Sequence, residues 1–342
     1  MRVLIVRLGA FGDIVHTLPL AADLAHAGHR VSWVCEDRWA PLVDGSSAIE
    51  RVFRLPRRLV RDPATALAAK LIVLRRLARE LRAFRFDAVV DAQGLAKSAA
   101  LALASGAKLR FGHCRPRARE GSWLVTRGRS PVAATHVIDQ QRALGLALTR
   151  GGGRGPWRFP LPPWRAERDW ARDWLARKGL SAPWMLNVGA GWPTKVWPKA
   201  RQVELVRACR QAGQPIVLVW GTHEEHDLAE EIAAEAGGGV LAPPTTIPQL
   251  GGLLAAAGVV ISGDTGPLHL ALALGTPAVG LFGPVPAERN GPRGRGYRTL
   301  QAPGAAWERR DVAKVDMGAI SAGAVVAAAR AAQAEAGAGA VA

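Results

Sequence analysis

Apolar residues in this chain gather into short uninterrupted runs, separated by longer segments with helical spacing. Residues 2–7, 31–35 and 88–91 read as buried strands, and 13–27 and 65–84 as helices between them. A run without polar alternation marks a strand covered on both faces, as in a parallel sheet. After a stretch rich in Gly, Pro and Arg at 151–163 the alternation restarts. Residues 184–188, 216–220, 240–241, 259–261 and 278–282 read as strands, and the Ala-rich 320–336 as a helix with a frayed tail. The pattern predicts an α/β chain of two doubly wound, Rossmann-like domains. They span residues 1–160 and 161–320, followed by a C-terminal helix and tail at 321–342.

Composition narrows the class. No apolar run is long enough to span a bilayer and no signal segment opens the chain, so a soluble, cytoplasmic protein is expected. Cys35, Cys114 and Cys209 are too scattered for a disulfide framework or a zinc site. Charge is lopsided: residues 1–160 hold 27 Lys and Arg against 12 Asp and Glu, a net +15, whereas the remainder holds 18 against 16. The clusters at Arg54, Arg57, Arg58 and Arg61, at Arg75 to Arg85, and at Arg115 to Arg119 suit an anionic partner. That partner is a nucleic acid, an acidic membrane surface or an acidic substrate, the alternative being solvated basic faces.

The segment S-G-D-T-G-P-L-H at 262–269 joins an apolar strand to a helix. A helix start leaves backbone N–H groups unpaired at the positive end of the dipole, which attracts phosphate. Gly263 and Gly266 allow close approach, Thr265 offers a hydroxyl, and His269 follows one turn later on the same face. An ordinary helix cap on Asp264 or Thr265 is the competing reading. Asp13 ends the first strand–helix turn, where it serves either as a general base or as the cap of a helix starting at Ile14. No G-x-G-x-x-G unit is present, which disfavours a nicotinamide oxidoreductase. The basic half leaves a nucleic-acid binder as a further alternative, weakened by one Tyr, seven Phe and no recognised motif.

The blocks R-V-L-I-V-R-L-G-A-F-G-D-I-V-H-T-L-P (2–19), D-A-Q-G-L-A-K-S-A (91–99), R-A-R-E-G-S-W (117–123), K-V-W-P (195–198) and G-D-T-G-P-L-H-L-A (263–271) occur in that order. In order and spacing they resemble the lipopolysaccharide heptosyltransferases of glycosyltransferase family 9, the heptosyltransferase I branch more than the heptosyltransferase II branch. The resemblance implies a GT-B fold of two Rossmann-like domains facing a cleft. It also implies an inverting transfer of heptose from ADP-L-glycero-β-D-manno-heptose to the Kdo of Kdo-lipid A. The alternative within the family is another nucleotide-sugar or a later core acceptor.

By the same resemblance Asp13 is the catalytic base. Lys195, Asp264, Thr265, Gly266 and His269 bind the donor, joined by Glu224 as the ribose-binding acid with the spacing shifted by one residue. Gly12, Arg57, Arg58, Arg61, Lys97, Arg119 and Arg142 fall on the acceptor side, in agreement with the charge of the first half. Ala190 and Gly191 stand where relatives often carry a pair of threonines, which puts those hydroxyl contacts in doubt. No D-x-D triplet or metal-ligand set is legible, so no metal is expected to be required. The remaining expectations are no nucleic-acid partner, a monomer, and peripheral contact with the cytoplasmic face of the inner membrane.

Overall fold

The structure, a computed structural model, describes residues 1–339 apart from 58–61, 116, 131–133, 150, 152–154 and 306–314. The chain divides into two compact units, Met1–Pro163 and Trp164–Ala342. The first sheet holds β1 (Arg2–Val6), β2 (Arg30–Glu36), β3 (Arg51–Leu55), β4 (Ala88–Asp91), β5 (Leu109–His113) and β6 (Gly128–Ser130). Its order is β3-β2-β1-β4-β5-β6 and each pairing is parallel.

The second sheet repeats that plan with β7 (Trp184–Asn187), β8 (Ile216–Val219), β9 (Val240–Leu241), β10 (Val259–Gly263), β11 (Ala278–Phe282) and β12 (Tyr297–Gln301). The order β12-β11-β10-β7-β8-β9 is the same topology numbered from its own first strand. Both are the doubly wound dinucleotide-fold order, so the two-domain α/β expectation holds. In such a sheet the chain crosses to one side from the first strand and to the other from the fourth. Loops therefore part at the carboxyl ends of β1 and β4, and of β7 and β10, leaving room for a ligand.

The central strands form because their side chains are apolar on both faces: Val3 to Val6, Val259 to Ile261 and Val279 are fully buried. Each such side chain contributes about 1.5–3 kcal/mol relative to exposure. Edge strands look different. β3 and β12 alternate apolar residues with Arg, Thr and Gln and are only partly covered. The C-terminal helix Ala322–Gly339 packs into the second unit, where Val325, Ala329 and Ala332 are fully buried. No helix among the described residues is long and apolar enough to cross a membrane.

Candidate active site

At the switch point of the first sheet, β1 and β4 end side by side, and their motifs are knitted together. The buried Arg7 guanidinium donates through Nη1 to the Ala92 carbonyl and sets Nη2 2.6 Å from Asp13 Oδ2. The Leu8 N–H donates to Gln93 Oε1 at 3.1 Å. Asp91 builds the other side of the turn: its Oδ1 accepts the Gln93 and Gly94 N–H groups at 3.0 Å each, and Oδ2 accepts the Ser98 hydroxyl. Burial pushes the Asp91 carboxyl up, while those bonds and the Arg7 charge pull it back. Gly94 takes φ +73°, which a side chain would strain, and its carbonyl accepts the Arg119 N–H at 2.9 Å.

Asp13 is not the cap of its helix. The helix is Phe11–His26 with Ala10 at the N-cap, and Asp13, two residues beyond Phe11, accepts the Ala10 N–H at 3.2 Å. Its side chain remains 42% exposed while Arg7 beneath it is 8% exposed. A buried cation thus presents a carboxylate at the sheet edge, beside Gly12. Burial and the charges of Arg7 and Arg117 together push the neighbouring His113 imidazole down to about 4, so it is neutral near pH 7.

Two of the expected acceptor cations converge on a residue that sequence reasoning missed. Glu36, buried at the end of β2, lies 3.3 Å from Arg57 Nε, 3.4 Å from Arg38 Nε and 3.9 Å from Lys97 Nζ. The Arg57 and Lys97 side chains stay 34% and 43% exposed, so Glu36 gathers them without hiding them. Arg119 is exposed, its backbone held on the Gly94 carbonyl. Arg58 and Arg61 lie outside the described residues. Arg142 is elsewhere: it is buried, with Nε 2.7 Å from Asp23 Oδ2 and Nη1 on the Gly155 carbonyl. That ion pair ties two distant helices of the unit, and uses the donors that an acceptor contact would need.

The second sheet gathers the expected donor residues at its own switch point. The buried Asp264 follows β10 and accepts from Lys195 Nζ and Asn290 Nδ2. His269 Nε2 lies 3.3 Å from the carboxylate. Burial alone would raise the Asp264 carboxyl, but His269 and Lys195 outweigh it and hold the group well below the usual carboxylate range. Lys195 Nζ also donates to the Asp264 carbonyl at 3.1 Å. The Thr265 backbone caps the helix Gly266–Leu274, but its hydroxyl does not. That hydroxyl meets Ser262 Oγ at 2.9 Å and accepts from Asn187 Nδ2 at 3.3 Å. The Gly266 and Leu268 N–H groups at this start have no intrahelical acceptor, and Pro267 has none to offer.

The loop after β7 is held from below. Gln202, buried, donates to the Val188 and Trp197 carbonyls, and Trp197 Nε1 donates to the Ile320 carbonyl. Of the two acids after Thr222, Glu225 rather than Glu224 reaches this loop. The Glu225 carboxylate accepts the Gly221 N–H at 2.7 Å, and a Cβ on Gly189 would stand 2.0 Å from it. Glu224 is exposed at the second position of its helix. A trio of His226, Asp227 and Glu230 has metal-like spacing among the described residues, but it lies on the outer face of that helix, with both acids exposed.

Two Rossmann-like units, each with polar groups gathered at its switch point, are the architecture of the GT-B glycosyltransferases. The profile of "Glycosyltransferase family 9 (heptosyltransferase)" matches residues 74–316. The chain is 32% identical over 301 residues to Lipopolysaccharide heptosyltransferase 1 of Pseudomonas aeruginosa, covering 86% of this chain and 82% of that protein. It is 30% identical over 310 residues to the protein of the same name from Escherichia coli K12, covering 89% and 94%. The solved E. coli heptosyltransferase WaaC with ADP-2-deoxy-2-fluoro heptose matches at TM-score 0.76 and 27% identity, over 96% of this chain and 98% of that one. The chain belongs to glycosyltransferase family 9.

Proposed function

We propose that this protein transfers L-glycero-D-manno-heptose from ADP-heptose to the Kdo of Kdo-lipid A, with inversion, in lipopolysaccharide inner-core synthesis. The observation that carries the reading is the pairing, in one family 9 chain, of an exposed carboxylate on a buried arginine with an anion-receiving helix start. Asp13 takes the proton of the acceptor hydroxyl as its oxygen bonds the anomeric carbon, and the bond to the ADP oxygen breaks in the same displacement. Lys195 has three N–H donors; two meet Asp264, and the third suits a diphosphate oxygen. With the N–H groups at Gly266 and Leu268, it stabilises the charge that grows on departing ADP. These donors supply what a divalent metal supplies in other transferases, so transfer persists in chelator. Glu225, at the Gly189 loop, suits a ribose hydroxyl better than Glu224.

Arg57, Lys97 and Arg119 receive the acceptor's carboxylate and phosphates, since guanidinium forks and ammonium groups pair with such anions. The chain works as a monomer at the cytoplasmic face of the inner membrane. Mass spectrometry of Kdo-lipid A incubated with the protein and, in turn, ADP-heptose, ADP-glucose and UDP-glucose tests the reading. One heptose added from ADP-heptose alone is the expected product. Equal transfer from another nucleotide-sugar, or none from ADP-heptose, would overturn it.

A further inference from the structure

The helix Leu67–Ala83 packs on the core of the first unit from Leu74 onward, beyond its first two turns. Leu77 and Leu81 reach the core, whereas Leu67, Leu71 and Ile72 are 71%, 42% and 63% exposed. Among the described residues no other stretch of six exposes three large apolar side chains. Ala68, Ile72, Arg75, Arg79 and Arg82 follow one another at spacings of three and four and are all exposed, so they form one outward stripe. Along that stripe the helix changes from apolar to cationic. Its one acid, Glu80, accepts Arg76 Nε at 3.1 Å.

The direction of the helix gives this stripe a place. Arg82, near the C-terminal end, lines a cleft with Met1, Asp87 and Leu109, at the amino ends of the strands. Seventeen residues span about 25 Å, so the apolar first turns lie toward the opposite, carboxyl edge of the sheet, where Asp13 and the Glu36 cations stand.

We propose that these turns dock the protein on an anionic phospholipid bilayer. Leu67, Leu71 and Ile72 enter the boundary between headgroups and acyl chains, and Arg75 and Arg79 meet lipid phosphates. A second copy of the chain fits poorly, because three exposed apolar side chains fall well short of the roughly 800 Å² per partner that a stable interface buries. A nucleic acid would find phosphate partners but no use for exposed leucine and isoleucine. The inference deepens the proposed function, whose acceptor is a lipid, but vesicle binding can be read without any transfer.

Flotation of the full chain with vesicles of phosphatidylcholine, alone or with about a third phosphatidylglycerol, tests the proposal. Binding should require the anionic lipid and weaken with salt. Arg75→Gln with Arg79→Gln should lower the partition coefficient about 25-fold, at about fivefold per arginine. Leu71→Gln with Ile72→Gln should lower it on the order of tenfold. Transfer to a water-soluble acceptor without acyl chains should stay at the wild-type rate in both variants. A wild type that floats but transfers nothing would sink the proposed activity and leave docking standing. Docking is refuted by failure to float with anionic vesicles, by binding that neither double variant reduces, or by capture on nucleic acid alone.

Discussion

Arg7 Nη2 stands 2.6 Å from Asp13 Oδ2, joining a buried cation at the end of β1 to the exposed carboxylate that opens the next helix. The contact fixes the direction of Asp13 without covering it. Arg7→Lys keeps a charge but loses the fork that also reaches the Ala92 carbonyl. It should lower kcat on the order of 10–100-fold, the cost of a misplaced catalytic group, with KM for both substrates little changed. A kcat within twofold of wild type would remove Arg7 from the mechanism.

On the donor side, Lys195→Ala removes the ammonium from Asp264 and from the incoming diphosphate. The loss in kcat/KM for ADP-heptose should correspond to about 2–4 kcal/mol, with a matching fall in ADP affinity by calorimetry. Thermal denaturation is measured alongside, because the buried Asp264 loses one of its partners. Unchanged kcat/KM in a folded variant would move the donor site elsewhere.

Much of this was legible because the chemistry sits in local motifs. Continuous apolar runs exposed β1, β4, β10 and β11, and the residues following β1 and β10 carried Asp13 and the 263–271 segment. β3, β5, β6 and β12 were missed because they mix apolar and polar residues instead of forming a continuous apolar run, as in R-V-F-R-L and L-R-F-G-H. Arg7 looked like the end of a strand; nothing local says that it pairs with Asp13. Glu36 was silent for the same reason, since two of its three cations, Arg57 and Lys97, come from distant segments. Arg142 was assigned to the acceptor because its partner Asp23 is 119 residues away. Glu224 and Glu225 differ by one helical position, which only the helix start at His223 distinguishes.

The Glu36 cluster predicts a salt-dependent acceptor site. KM for Kdo-lipid A should rise with ionic strength while KM for ADP-heptose changes less. Arg57→Gln should mimic high salt and flatten that dependence. Glu36→Gln should also raise acceptor KM, because Arg38, Arg57 and Lys97 lose the anion that gathers them. Equal salt dependence in wild type and Arg57→Gln would identify the cluster as ordinary solvated surface.

His113 makes the first unit acid-sensitive. Its pKa falls from 6.5 to about 4 on folding, so between those values the unfolded chain binds more protons and stability rises with pH. The contribution is complete above 6.5, and roughly 3 kcal/mol is lost as pH falls to 4. Denaturant midpoints across this range should flatten in His113→Gln. A wild-type slope retained in the variant would assign the acid sensitivity to other groups.

Asp13 is proposed here as the base for heptose transfer to Kdo-lipid A. That role is tested most directly by single-turnover transfer from ADP-heptose by wild type and Asp13→Asn, with ADP affinity measured on both. Transfer should be at least about a hundredfold slower in the variant, with ADP affinity unchanged because Asp13 belongs to the other unit. An Asn variant that transfers heptose within a few-fold of the wild-type rate would contradict it.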